Sequence, residues 1–372
     1  MKKILPAFIF GLLSATLAFA QIDTGRWQLV KTINKVAARS ECSLVAVDGK
    51  LYLIGGDGPA TPVEAYDPNT STWTKKAMAP FTMHHLQAVG LGDKVYVLDA
   101  FYEGGYPDQI PLPNVYSYDT QKDTWQKLTE IPADRRRAGA GEAVYNGKLY
   151  IVCGITHGHR SGTNSMFDCY DPATDKWTLL PDAPHIRDHS MAVVVGDKLY
   201  AIGGRNTSLH DANNFMSFFD KVMLDVDCYD FKTGKWSSLD AKLPLGTGGG
   251  TAVNLDNKIY YIGGERATAT KPNGPQKDVF VLDPSTQNQW TKAASLNMAR
   301  NGVGGTVLDH KIYIAGGAGG GPGGPPPIGK PGMQGPPPIN GQPGNNPPPN
   351  GPPGQRAGGD HGDIALEVFS LK

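Results

Sequence analysis

The chain has 372 residues, 47 of them glycine and 30 proline, and a formal net charge of zero. Without a basic excess it does not read as a nucleic-acid or anionic-membrane binder, since both depend on positive charge. The glycine and proline surplus is concentrated: residues 318–362 hold 15 Gly and 14 Pro with no strict Gly-X-Y period, which excludes collagen.

In chain order, Met1-Lys2-Lys3 is followed by an apolar run from Ile4 to Phe19 that ends in Ala18-Phe19-Ala20. A charged start, a short apolar core and a small-x-small site predict a signal peptide over 1–20. The protein is expected to be secreted or periplasmic, as one domain over 21–372. No second apolar run is long enough to span a bilayer, so no membrane span is expected after cleavage. Export permits disulfides, but Cys42, Cys153, Cys169 and Cys228 allow three full pairings, and buried free thiols fit equally well.

Two signatures then recur. The first is a lysine, alternating apolar residues and two small residues, as in Lys50-Leu-Tyr-Leu-Ile-Gly-Gly56 and Lys198-Leu-Tyr-Ala-Ile-Gly-Gly204. It begins at Lys50, Lys94, Lys148, Lys198, Lys258 and Lys311. The second is a strand ending in Tyr-Asp with a tryptophan seven residues on: Tyr66/Trp73, Tyr118/Trp125, Tyr170/Trp177 and Tyr229/Trp236; Leu282/Trp290 are eight apart. From each tryptophan to the next lysine the distance is 21–23 residues, starting at Trp27. From the small pair to the next tyrosine-equivalent it ranges from 10 to 52, so one connection per repeat absorbs the length variation.

This pattern resembles the kelch repeat, which builds four-stranded propeller blades of about 50 residues. The resemblance covers 21–372 apart from the insert and implies an all-β, six-bladed propeller with antiparallel blades. Strand a includes Ser43–Val47, strand b runs from the lysine to the small pair, strand c ends at Tyr-Asp, and strand d carries tryptophan. Arg26–Val30 reads as a d strand and Leu366–Leu371 as a c strand. The ring should therefore close by pairing the N-terminal d strand with the C-terminal c strand, which removes an open seam. The repeat tryptophans and tyrosines are expected to fill space between blades.

In propellers the d-to-a and b-to-c connections share one face, at the mouth of the central channel. The longest are 205–224 and the 318–362 insert, read as an extended, disordered arm with polyproline II bias. Eleven residues before each lysine stand Arg39, Met83, Arg137, Arg187, Thr247 and Arg300. Two residues further are Glu41, His85, Gly139, His189, Gly249 and Gly302. Asp57, Arg205 and Glu265 follow strand b. Each arginine has two readings: a scaffold pair with neighbouring acids and carbonyls, common in kelch repeats, or contact with an anionic ligand. The candidate ligand-binding residues are Arg39, His85, Arg137, Arg187, His189, Arg205 and Arg300.

His157 and His159 with His85 and His189 raise a metal site, but without Cys or close acids at ligand spacing they read as polar loop residues. No metal or cofactor is expected. Exported six-bladed kelch proteins include sialic acid mutarotases, which use a Glu and an Arg at the channel mouth; Glu265 is the positional match and the candidate catalytic residue. Galactose-oxidase-type copper enzymes share the propeller, but their Tyr–Cys crosslink and His pair have no recognisable counterpart here. The first reading is a monomeric binding module for an anionic protein or glycan. The second is a carbohydrate-active propeller of the mutarotase kind.

Overall fold

The computed structural model describes residues 25–269, 273–286, 289–319 and 365–371. The signal peptide expected over 1–20 and residues 320–362 of the insert lie outside these.

Six four-stranded antiparallel sheets form the blades of a propeller. In strand order a to d, the first is Cys42–Val47, Lys50–Gly55, Pro62–Asp67 and Thr72–Met78. The second is Val89–Leu91, Lys94–Val97, Asn114–Asp119 and Thr124–Glu130. The third is Gly141–Tyr145, Lys148–His157, Ser161–Asp171 and Lys176–Leu180. The fourth is Met191–Val195, Lys198–Ile202, Asp227–Asp230 and Lys235–Ser238, and the fifth Thr251–Leu255, Lys258–Ile262, Val279–Leu282 and Thr291–Lys292. The sixth takes Asn301–Leu308, Lys311–Ala318 and Glu367–Ser370 from the C-terminal part and Arg26–Leu29 from the N-terminal part.

Local chemistry sets these strands. Each a-to-b link is a two-residue turn, such as Asp48-Gly49 with φ of 46° and 71°, the left-handed pair that suits a twisted hairpin. Strand b is apolar on both faces because each sheet packs between two others; Leu51, Leu53 and Ile54 are fully buried. The tyrosine-equivalent of strand c lies directly opposite the tryptophan of strand d in four blades, as Tyr66 opposite Trp73. Their ring centroids are 5.1–5.4 Å apart. Trp27 and Phe369 repeat this across the closure, paired in register with centroids 5.2 Å apart. The hydrophobic clusters lie between blades: Tyr52 and Ile54 of the first pack with Val95, Val97 and Tyr118 of the second. All four cysteines are buried free thiols, so the disulfide reading does not hold. Burial raises the Cys42 thiol to about 11.

The a strands of all six blades surround a central channel of about 380 Å³. Its mouth lies on the face of the d-to-a and b-to-c connections. There the second blade adds a small hairpin, Phe101–Glu103 with Ile110–Pro111, and the fifth adds another, Glu265–Arg266 with Gly274–Pro275. The 205–224 connection contains a 3-10 segment, Phe215–Asp220.

Candidate functional site at the channel mouth

Four of the candidate arginines do not form a cationic ring at the mouth. Arg39 pairs with Glu64 at 2.5 Å, Arg137 with Asp168 at 2.8 Å, Arg187 with Asp227 at 2.6 Å and Arg300 with Glu367 at 2.8 Å. Each pair lies within one blade, between the start of strand a and strand c, and is almost wholly buried. The guanidinium groups also donate to backbone carbonyls, as Arg137 does to Cys153 and Ile151. These charges are neutralised inside the scaffold, as the first of the two readings of each arginine has it. A buried, hydrogen-bonded ion pair fixes geometry, and taking it apart leaves a charge stranded.

A sequence signal for this pairing exists. The acid always stands two residues before the tyrosine-equivalent of strand c: Glu64 before Tyr66, Asp168 before Tyr170, Asp227 before Tyr229, Glu367 before Phe369. In the two blades without the arginine, where Met83 and Thr247 stand, the same position holds Tyr116 and Phe280. Arginine and acid change together from repeat to repeat.

Arg205 behaves differently. It reaches across to the fifth blade, where Nη1 donates to Glu265 Oε1 at 2.9 Å, and its Nε donates to Thr207. The rings of Phe218 and Phe219 lie 5.0 and 4.7 Å from its guanidinium carbon, a double cation–π contact. Asn301 Nδ2 donates to Glu265 Oε2 at 2.8 Å. Glu265 thus joins three blades at the mouth. Tyr106, from the second-blade hairpin, completes this side; burial, countered in part by Arg205, raises its hydroxyl to about 12. Tyr106 and Phe218 did not stand out in the sequence, because they sit on connections that meet only in the folded ring, and Asn301 opens strand a of the sixth blade, where its neighbours from other blades are not visible in the repeat.

The residues two positions after Arg39, Met83, Arg137, Arg187, Thr247 and Arg300 form a belt around the axis. Glu41, His85, Gly139, His189, Gly249 and Gly302 all have a left-handed backbone, with φ between 51° and 62°. The belt is hydrogen-bonded from blade to blade: His85 N–H donates to Glu41 O, Gly139 to His85, Gly249 to His189, Gly302 to Gly249 and Glu41 to Gly302, at 2.7–3.0 Å. Ser190 supplies the link to Gly139 O, at 3.4 Å. The conformation favours glycine, and a side chain there costs about 1–2 kcal/mol. At Gly302 an added Cβ would lie 2.6 Å from Glu41 N, so close approach also demands glycine.

His85 and His189 therefore carry imidazoles at strained positions. With His159, from the b-to-c tip of the third blade, they form a buried triad of rings whose centroids are 4.9–5.1 Å apart. One nitrogen from each lies within 4.8 Å of the other two. Asp57, His84 and His85 make a second such group. His189 Nδ1 bonds Asp188 Oδ1 at 2.6 Å. Burial works against ionisation of Asp188, but the His189 contact, with Arg205 and Thr163, outweighs it and holds the carboxyl below its usual range.

Comparison with known proteins places this architecture. The Attractin/LZTR1 beta-propeller model matches residues 13–268, and the Kelch motif model matches residues 247–297. The Kelch-like protein terF of Aspergillus terreus is 27% identical over 79% of this chain and 64% of its own length. Alpha-scruin of Limulus polyphemus is 28% identical over 64% of this chain and 25% of its own. Human Kelch-like protein 23 is 28% identical over 72% and 43%. The chain thus spans less than two thirds of the length of these relatives. Among solved structures, that of YjhT aligns with a TM-score of 0.64 and 18% identity over 78% of this chain and 94% of its own, a likeness of fold. On the matched models and the six blades, the chain belongs to the kelch-repeat β-propeller family.

Proposed function

We propose that this chain is an exported, monomeric binding module that captures a protein or glycan on the channel-mouth face. Kelch propellers are in general protein-interaction modules. The observation that carries the reading is the one-sidedness of everything added to the repeat. The second-blade hairpin, the His157–Ser161 tip, the 3-10 segment Phe215–Asp220 and the fifth-blade hairpin are all b-to-c excursions. In sequence the 318–362 insert stands at the same place in the sixth repeat, between strands b and c. This face presents Tyr106, His210, Phe215 and Met216 half-buried beside exposed Leu209. Semi-rigid aromatics with polar neighbours suit a partner surface. Four candidate arginines are neutralised within blades, and Arg205 and Arg160 are paired with Glu265 and Asp108, so an anionic partner would take the place of one of those two mouth-face acids or meet Arg266.

The test is capture from the exported fraction of the source organism. Tyr106→Ala, Leu209→Asp and Phe215→Ala should abolish capture, and changes in the opposite-face turn at Asp48-Gly49 should leave it intact. Loss only on the opposite face would reject the reading. Export itself is tested by N-terminal sequencing, with Gln21 expected first.

The Arg205–Glu265 pair favours one second reading, a sugar mutarotase. Both Glu265 oxygens are held, by Arg205 and Asn301, so a sugar hydroxyl would replace one partner to accept or deliver a proton. Anomeric exchange of N-acetylneuraminate followed by NMR tests it. Exchange that is accelerated by the protein and survives Glu265→Gln would remove Glu265 from the role.

A further inference from the structure

We propose that His85, His159 and His189 form a binding site for one divalent transition-metal ion, of the zinc or copper class, at the mouth of the channel.

Three observations converge. First, the three imidazoles come from three different connections, the d-to-a links before the second and fourth blades and the b-to-c tip of the third. All three are buried, and one nitrogen of each lies within 4.8 Å of the others. A single ion with nitrogen ligands at about 2.0–2.1 Å needs these nitrogens to close by roughly an ångström, a side-chain adjustment. Second, Nδ1 of each ring has a polar neighbour that fixes the ring's orientation. Nδ1 of His189 bonds Asp188 Oδ1 at 2.6 Å, Nδ1 of His159 contacts Gln109 Oε1 at 3.1 Å, and Nδ1 of His85 meets His84 Nδ1 at 2.5 Å. Metal-binding histidines are commonly held this way, by a carboxylate, carbonyl or polar partner behind the ring. Asp188 is itself fixed by Thr207 and Thr163, so the His189 ring has a rigid support.

Third, the backbone at two of the ligands is in the left-handed region, φ 58° at His85 and 51° at His189. Three blades use glycine at this belt position. The other three keep side chains there against that cost, Glu41, His85 and His189, and the three lie together, with Glu41 Oε2 3.7 Å from His85 Nε2 and the His85 and His189 rings 4.9 Å apart, which points to use of these side chains.

The donor set selects the ion. Three neutral nitrogens suit Zn²⁺, Cu²⁺, Ni²⁺ or Co²⁺ over Mg²⁺ or Ca²⁺, which prefer oxygen. Glu41, whose Oε2 is 3.7 Å from His85 Nε2, and Asp188 supply negative charge next to the dication. Three protein ligands leave a coordination position for water or a ligand donor atom. A site of this kind would let the propeller take a partner through a metal-bound histidine, carboxylate or sugar oxygen.

The experiment uses untagged full chain, stripped with chelator and dialysed. Zn²⁺, Co²⁺ and Mg²⁺ are titrated by calorimetry, and bound metal is counted by elemental analysis after gel filtration. One Zn²⁺ per chain is expected, with at least tenfold weaker binding in each of His85→Ala, His159→Ala and His189→Ala, and no response to Mg²⁺. Co²⁺ should give an intense visible absorption typical of low coordination number, absent from those variants. His310→Ala, far from the channel mouth, should match wild type. The proposal fails if wild type holds no more Zn²⁺ than the correctly folded triple variant. It also fails if His84→Ala removes the ion and His159→Ala and His189→Ala retain it, which would assign binding to the Asp57, His84 and His85 group.

Discussion

Arg300 and Glu367 form a fully buried ion pair across 67 positions of sequence, Nη2 to Oε1 at 2.8 Å, within the blade that closes the ring. The other carboxylate oxygen of Glu367 accepts from the backbone N–H and side-chain amide of Asn297, at 2.9 and 2.8 Å. Burial lowers the guanidinium's proton affinity, and Glu367 offsets it. Glu367→Ala would leave Arg300 stranded in the wall and should lower unfolding free energy by about 3–5 kcal/mol. Restoring an apolar pair, Arg300→Met with Glu367→Leu, should recover most of that loss. Urea denaturation followed by tryptophan fluorescence checks both. A single variant within about 1 kcal/mol of wild type, the range of a surface pair, would show that the wall admits water there.

Gln87 bridges two neighbouring blades, where Ser43, at the equivalent position of the first blade, reaches only one, its Oγ accepting from the Ala88 N–H at 3.0 Å. Gln87 Oε1 accepts from the backbone N–H of Glu142 and of Ala192, each at 2.9 Å, and its Nε2 donates to Ala192 O at 2.9 Å. One side-chain amide thus stitches the a strands of the third and fourth blades from the second. Gln87→Leu keeps the size but leaves those backbone groups without it. Each buried group so stranded costs about 1–3 kcal/mol, and a loss of that order or more should appear in the denaturation midpoint. The same variant should speed amide exchange at Glu142 and Ala192. Unchanged exchange there would mean that other groups satisfy these amides.

Most of the fold was legible because one signal is repeated six times. The lysine, the small pair and the tryptophan fix strands b and d, and the expected Arg26–Val30 and Leu366–Leu371 strands appear as Arg26–Leu29 and Glu367–Ser370, paired as closure requires. The site was legible only in its location. The sequence left two readings open for every candidate arginine, and the fold separates them: Arg39 ends in its own blade and Arg205 on the next. The identity of belt positions was visible; their left-handed backbone, which makes His85 and His189 notable, was not. Tyr106 and Phe218 sit on irregular connections, where periodicity gives no information.

Residues 320–362 can be exchanged for a short Gly/Ser linker with little effect on stability. The strands on either side are hydrogen-bonded neighbours, with Ile314 opposite Glu367 and Ile312 opposite Phe369. Any linker between them closes an existing hairpin, and loop length changes the closure entropy only logarithmically. The melting temperature should stay within about 2–4 °C of wild type, the shift that ~1 kcal/mol produces in a domain of 150–250 residues. A larger fall would show that the insert packs on the propeller. If the mouth-face reading holds, the shortened chain also separates partner binding by the arm from binding by the ordered loops.

Asp99 and Glu142 meet between the second and third blades, with no cation among the described residues in salt-bridge contact and Arg137 the cation acting on Asp99, and this pair should set a pH dependence. Asp99 accepts the backbone N–H groups of Gln87 and Ala140, and Glu142 Oε1 accepts that of Leu98. Burial raises the Asp99 carboxyl to about 6, and burial together with the Asp99 charge holds Glu142 well above its usual range. Folded values above the unfolded ones mean that the native state binds the extra proton. The stabilisation is complete below the unfolded carboxylate range, near pH 4, and is lost as pH rises through the folded values. Other groups titrate over the same window, so the readout is a difference between two proteins. Glu142→Gln mimics the protonated acid and can donate to Asp99, so its stability relative to wild type should grow steadily from pH 5 to pH 8.5. Urea denaturation at each pH measures this. A difference that stays constant across the range would show that the two carboxyls do not share a proton in the native state.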